Sequence, residues 1–450
     1  MNALSLMTLI FLGYIVAYFT YGKWLGSKIF QLNASKKVPS IEREDGIDYV
    51  PTKKSILFGH HFTSIAGTGP IVGPAIGVIW GWVPAVIWVF FGSIFMGAVH
   101  DFSALVISMR NEGKSISEIT GIYINDRVKK MFFVIVFLSL LIVLAIFGLI
   151  IAIIFSKFPQ SVLSVWVQIP IAMALGWRVF KKGGSLIIFT LISVILMYST
   201  MILGQYIPLT LPSFLGIPST GLWTILLLIY AYFASTLPVT TLLQPRDYIN
   251  AWQLYISLGL ILAGIVVSAF TQGLPMAAPA FQEHPAGAPS MWPFLFITIA
   301  CGSISGFHCL VCSGTTSKQI KNESDAQFIG YGAMLLEGAL ATVIIIAVCA
   351  GLGLGYSNGG ETLFGVDAWN SHYLSWQSSG GLGSKLNAVV IGCSNLLGTL
   401  GIPSSFGTVI IGVFIASFAG TTLDSATRVQ RYIISEMVSN TRFKKLGSKW

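Results

Sequence analysis

Three histidines fall in stretches too apolar to hold imidazole without a reason. His60 and His61 enter FGHHFTSIAGTGPIVGP (58–74), and His308 lies in CGSISGFHCLVCSGTTSKQ (301–319). Imidazole titrates near pH 6.5, so modest burial or a nearby anion switches its charge. His60, Ser64, Gly67 and Thr68 are spaced i, i+4, i+7, i+8 and share one helical face. Gly67, Gly69 and Gly73 permit unusual dihedrals, and Pro70 and Pro74 lack N–H donors. The helix is therefore expected to unwind near 67–74. Unwound backbone at membrane depth is tolerated where it lines a cavity or is buried in protein. The N–H groups of the half-helix that follows could hold an anion. A packing kink with histidines near the interface would use the same residues. In the second stretch Ser305, His308, Cys312 and Thr316 fall close to one face, with Ser313 and Thr315 beside it. Two carboxylates join them inside apolar runs: Asp101, next to His100, and Glu337. Intramembrane ionisable residues usually face a cavity and mark function, although Asp101 could also cap its helix or pair with Arg110.

Other chemistries fit less well. His308-Cys309-x-x-Cys312 has zinc-ligand types, but Cys309 and Cys312 share a continuous helix without the turn of a zinc knuckle. Small buried cysteines are ordinary packing residues, so no metal and no cofactor is expected. GTGPIVG has the wrong spacing for a dinucleotide fingerprint. GSISG has isoleucine, not serine, at its centre and is no nucleophile elbow. No Walker-type loop is present, so ATP-driven transport would need a partner.

The elements that position these residues are set by composition. The chain is 54% hydrophobic and 10% charged, with mean hydropathy +0.78, whereas a soluble domain carries about 25% charged residues. An all-α polytopic membrane protein follows, because helices satisfy their own backbone in lipid. The 26 basic residues outnumber 17 acidic ones. They sit in short loops, as at cytoplasmic helix ends, and not in a nucleic-acid surface. The five cysteines all lie in apolar segments, so no disulfide framework is expected. MNALSLMTLIFLGYIVAYF lacks the basic start of a signal peptide and reads as a retained span.

Apolar runs cover 4–22, 55–79, 83–108, 131–155, 162–179, 186–206, 220–243, 251–271, 293–315, 327–354 and 386–424, the last broken at Gly401-Ile402-Pro403. Lysines and arginines in 23–54 and 110–130, with Arg178, Lys181, Lys182, Arg246, Lys318 and Lys321, fall on one side, read as cytoplasmic. Arg428, Arg431, Lys444 and Lys445 join that side if 386–402 dips in and returns, or lies on the surface, while about 404–424 spans. The total is then about 11 spans, in one transmembrane domain: 1–54 as N-terminal span and cytoplasmic loop, 55–206 and 220–425 as two repeats, and 426–450 as a cytoplasmic tail. The repeats rest on Pro70, interrupting the second span, and Pro238, in ASTLPVTT, interrupting the seventh. Matching interruptions in inverted halves point to a transporter binding site.

FGHHFTSIAGTGPIVGP, GAVHDF, PVTTLLQPRDY, CGSISGFHCLVCSGTTSKQ and AGTTLDSATRVQRYI, in this order over about 55 to 435, resemble the carbon starvation protein A (CstA) family. The resemblance implies a secondary transporter of the bacterial inner membrane for nutrient uptake on carbon starvation, carrying short peptides or pyruvate-like carboxylates with proton coupling. It also implies a LeuT-type core of two inverted five-helix repeats, here with one extra N-terminal span. Family members usually continue with further spans after RVQRYI, and Cys309 and Cys312 stand where serines are expected. The candidate substrate- or ion-binding residues are His60, His61, Ser64, Gly67, Thr68, Gly69, Pro70, Thr236, Pro238, Ser303, Ser305, His308 and Ser313. Candidates for coupling or gating are Asp101, Arg246, Asp247 and Glu337. The partners expected are a small-molecule substrate, a proton or sodium ion, and the lipid bilayer. Sodium coupling would use Thr68, Ser303 and Ser305 with free carbonyls. An intramembrane metal-dependent hydrolase is the alternative from another class.

Overall fold

The computed structural model describes residues 2–358, 360–377 and 381–438, so Lys444 and Lys445 lie outside the described residues. Among these residues ten helices are long and apolar enough to cross a membrane. They are the first span Ala3–Ile29, the second Lys54–Trp80, the third Trp82–Arg110, the fourth Asp126–Lys157 and the fifth Pro159–Val179. The sixth is Leu186–Tyr206, the seventh Ser219–Thr236, the eighth Leu243–Gln272, the tenth Glu323–Leu354 and the eleventh Ser404–Val438.

The ninth apolar run forms three short helices, Met291–Thr298, Ala300–Ser303 and Gly306–Gly314. It lies antiparallel along the second span. Ile299 packs at Gly77, Cys301 at Gly69, and Thr316 beside His61. The expected single helix is therefore interrupted at Ile299 and again at Ile304-Ser305, where Ile304 is extended (φ −157°, ψ 116°). Ser305 and Thr316 flank the helix that carries His308 and Cys312 instead of sharing it.

Helix Gly381–Gly398 does not add a crossing. Gly383 meets Lys157 at the end of the fourth span, Gly392 meets Ala347 near the end of the tenth, and Thr399 donates to the Gly264 carbonyl at 3.3 Å. All these neighbours lie toward the face opposite the 23–54 loop. The chain then turns at 399–403 and enters the eleventh span, which ends beside that loop: Arg428 donates to Asp48 at 3.0 Å. Residues 386–402 thus turn back as the loop charges require. Arg428, read from sequence as a loop marker, is buried as the partner of Asp48.

Pro238 is a correction. The seventh span ends at Thr236, and Pro238 lies in the turn before Leu243, where Val239 N–H donates to the Ile47 carbonyl. A proline forces the preceding residue out of the helical region, and Leu237 is extended (φ −71°, ψ 151°). Pro238 therefore stops a helix instead of breaking one. The interrupted segments are the second and ninth, seven apart, so the five-plus-five scheme loses the pairing on which the sequence reading rested.

Polarity sorts the layers. The second, tenth and eleventh spans carry His60, Glu337 and Asp424 and are buried along most of their length, while the sixth presents Ile187, Leu191 and Ile195 outward. Spans with ionisable groups are driven inward, because a charge facing lipid is expensive.

Candidate functional site

The second span runs as helix from Lys54 to Ala66, breaks at Gly67-Thr68, and resumes at Gly69. Gly67 has φ +45°, a conformation that side chains rarely adopt. Pro70 falls in the first turn of the new helix, where its missing N–H costs nothing. The glycines let the ninth span approach: a Cβ on Gly73 would sit 2.6 Å from the Thr298 carbonyl, and one on Gly69 would strike Cys301. The Cα of Pro70 would lie 3.2 Å from a Cβ at Gly302. The two interruptions face each other.

On the Lys54 side of this crossing are two histidine–carboxylate clusters. In the first, His60 Nδ1 lies 2.5 Å from Asp247 Oδ2 of the eighth span. Ser64 Oγ is 3.4 Å from the same oxygen and 2.9 Å from Ser425 Oγ. Gln319 Nε2 donates to His60 Nε2 at 3.3 Å, which leaves the His60 proton on Nδ1, donating to Asp247. Asp247 Oδ1 has no hydrogen-bond partner among the described residues.

In the second cluster His308 Nδ1 lies 2.8 Å from Asp101 Oδ2, and His308 Nε2 lies 3.3 Å from Glu337 Oε2. His100 Nδ1 is 3.3 Å from Asp101 Oδ1. His61 stands between the clusters, within electrostatic reach of His60, Asp101 and His308, with Nδ1 2.9 Å from Thr316 Oγ1. His60, His61, His308, Asp101, Asp247 and Glu337 are all fully buried. The imidazoles therefore adjoin in two clusters whose central groups are buried, while His100, joined to Asp101, has a side chain 37% exposed and links the second cluster to the surface.

The second cluster has a simple proton count. A neutral His308 donating from Nδ1 to Asp101 carries a bare lone pair on Nε2, 3.3 Å from Glu337 Oε2, and neither this nitrogen nor either Glu337 oxygen has a hydrogen-bond partner among the described residues. An ionised Glu337 would face that lone pair without a proton between them. One proton, on His308 Nε2 or on Glu337, relieves the repulsion. The arrangement can hold one proton on fully buried groups and release it.

Arg246 adjoins the first cluster, within electrostatic reach of Asp247, but makes its ion pair elsewhere. It ion-pairs with Asp424 of the eleventh span, and Tyr230 donates to Asp424 Oδ2 at 2.9 Å. Buried pairs of this kind fix geometry more than they add stability. Asp101 does not pair with Arg110, which bonds Glu323 at 2.6 Å instead.

The remaining candidates divide. Thr68 is buried at the break. Ser303 is buried with Oγ unpartnered, and Ser305 Oγ lies 3.7 Å from Cys301 Sγ. Ser313 serves structure: its Oγ accepts from the Ile116 N–H at 3.2 Å, tying the loop after the third span. Thr236 and Pro238 lie at the end of the seventh span, with the Thr236 hydroxyl bonded to its own helix at Phe233. Asp424, Gln319 and Ser425 belong to the networks and were not singled out from sequence. Asp424 was findable as a carboxylate inside the apolar run 386–424, whereas Gln319 and Ser425 carry no such signal. Among the described residues no group of three His, Cys, Asp or Glu side chains is arranged to hold a metal ion.

An α-helical, multi-pass membrane protein with paired ionisable clusters beside two interrupted helices is the class these features define. The chain belongs to the carbon starvation protein CstA family, whose profile matches residues 2–359. It is 33% identical to the peptide transporter CstA of Bacillus subtilis, over 97% of this chain and 75% of that protein. It is 32% identical to the peptide transporter CstA of Campylobacter jejuni, over 96% of this chain and 66% of that protein. It is 36% identical to the pyruvate/proton symporter BtsT of Escherichia coli, over 74% of this chain and 47% of that protein. The chain thus spans between half and three quarters of the length of these relatives.

Proposed function

We propose that the chain is a secondary transporter of small carboxylates or short peptides, coupled to protons. The observation that carries this reading is His308, itself fully buried, held between Asp101 and Glu337 beside two facing helix interruptions. Parting of the surrounding segments would change the access of this buried proton site, which is the requirement for coupling in alternating access. The names of the relatives supply the substrate classes, peptide and pyruvate, and proton symport in one case. Movement is assigned to the crossing of the second and ninth spans, where glycines and prolines replace side-chain interlock. The half-helix starting at Gly69 directs its positive end toward the break and suits a carboxylate.

The basic face is assigned to the cytoplasm, so cysteines introduced at Ser35 and Met437 should both resist labelling from outside, whereas one at Leu215 should react. The coupling test is uptake of pyruvate and of a dipeptide into proteoliposomes under a pH gradient or a sodium gradient. Wild type is expected to follow the pH gradient, and His60→Ala and His308→Ala to lose at least tenfold in uptake. Uptake that follows sodium alone, with both variants keeping their pH dependence, defeats the proton reading in favour of a sodium site around Thr68, Ser303 and Ser305.

A further inference from the structure

On the face opposite the basic loops, three basic side chains from three elements converge, with no carboxylate beside them among the described residues. Lys385 lies in the second turn of helix Gly381–Gly398, with only 5% exposure and an ammonium group that has no hydrogen-bond partner. Its Nζ sits 3.7 Å over the ring of Tyr373. His372, on helix Gly365–Tyr373, is equally buried; its Nδ1 is 3.4 Å from Ser384 Oγ, and its Nε2 has no partner. Lys157, at the end of the fourth span, reaches Gly383: a Cβ there would lie 3.7 Å from its Nζ. Both lysines act electrostatically on His372, and no acidic group is among the influences on His372 or Lys385. Tyr356 also adjoins the cluster, its ring packing edge-on against His372 with centroids 4.4 Å apart.

A buried ammonium ion is costly unless it is paired. The ring of Tyr373 satisfies one side of Lys385 only. The start of an 18-residue helix adds a positive potential to the same spot. Two buried nitrogens without partners among the described residues, and an exposed lysine at the rim, are a site missing its anion.

We propose that Lys385, His372 and Lys157 form an anion site that takes a small carboxylate at the outer mouth of the protein. Lys385 gives the ion pair, His372 Nε2–H a directed hydrogen bond, and Lys157 closes over the bound group. Its part in transport, as the place where a carboxylate solute is first captured, rests on the function proposed above. The occupant is assigned as a free carboxylate and not a lipid headgroup because the two unpartnered nitrogens are buried inside the protein.

Binding and transport are measured separately, so that the two readings can fail independently. Pyruvate is titrated calorimetrically into the full chain in phosphatidylcholine nanodiscs. Binding is expected to weaken at least tenfold in Lys385→Met and about threefold in Lys157→Gln, whose side chain is exposed and whose loss does not threaten folding. Affinity should fall as pH rises above 7. Wild-type affinity in both variants overturns the site, as does unchanged pyruvate binding on adding phosphatidylglycerol combined with protection of Lys385 by that lipid alone. If both variants lose binding in a protein that moves no solute, the anion site stands and the transport reading falls. If uptake is intact and pyruvate binding is indifferent to both substitutions, the transport reading stands and the site falls.

Discussion

His60 Nδ1 lies 2.5 Å from Asp247 Oδ2, joining the second span to the eighth with neither side chain exposed. The pair fixes how the helix before the Gly67 break sits against its neighbour. Removing Asp247 leaves the neutral His60 N–H buried without an acceptor, which costs about 1–3 kcal/mol. Asp247→Ala should therefore lower the melting temperature of the purified protein markedly. Asp247→Asn keeps the size and one acceptor, so it should fold while its proton-driven uptake falls at least tenfold.

Glu337→Gln separates proton coupling from solute movement. Glutamine cannot trade a proton with His308, but it can donate a hydrogen bond to Nε2. Solute exchange between preloaded proteoliposomes and medium should continue, while accumulation under a pH gradient should be lost. Accumulation at the wild-type level would remove the His308–Glu337 pair from the coupling step.

Gly67 tests the break itself. A Cβ there would sit 2.5 Å from Thr422 Oγ1 and 2.8 Å from Phe147, at φ +45°. Gly67→Ala should destabilise by about 1–3 kcal/mol through overpacking and backbone strain. Gly259→Ala, where nothing lies within 4 Å, should leave stability unchanged or slightly raised. Thermal unfolding in detergent compares the two.

Lys385 and His372 predict the pH dependence of stability when no anion is bound. Burial brings the Lys385 amine down to about 7 from 10.5. Burial first, then Lys385 and Lys157, bring His372 down to about 4 from 6.5. In each window the unfolded chain holds a proton that the folded chain has lost. Stability should therefore rise with pH from about 4 to 6.5 and again from about 7 to 10.5. Lys385→Met should remove the upper rise and narrow the lower one, because Lys385 adds to the effect of burial on His372, and thermal melts across pH measure both.

His60, His308, Asp101 and Glu337 were legible in the sequence because ionisable residues stand out in apolar runs, and Gly67 to Pro70 because glycine and proline announce a break. Pro238 misled because proline ends a helix as readily as it interrupts one, and only packing against Ile47 tells which. The break at Ile304-Ser305 contains no proline, and Ser303 just before it packs against Gly92 and Gly97 of the third span, a tertiary contact with no local signal. Gln319 and Ser425 were invisible for another reason: their bonds to His60 and Ser64 join residues 259 and 361 positions apart. Pairing over such separations belongs to the tertiary structure and leaves no local pattern.

The hydrogen bonds leading from His60 toward the 23–54 loop run through two side-chain amides. Gln319 donates to His60, Gln244 donates to Gln319 Oε1 at 2.6 Å, and Gln244 also donates to Thr52 Oγ1 at 2.8 Å. An amide holds its neighbours in place but does not hand a proton on, because its nitrogen keeps both hydrogens at any physiological pH. Along this path the chain of glutamines is therefore an insulator. It lets His60 be gripped from the loop side while denying protons a shortcut there, so a proton driving force would not drain away through the closed protein by that route.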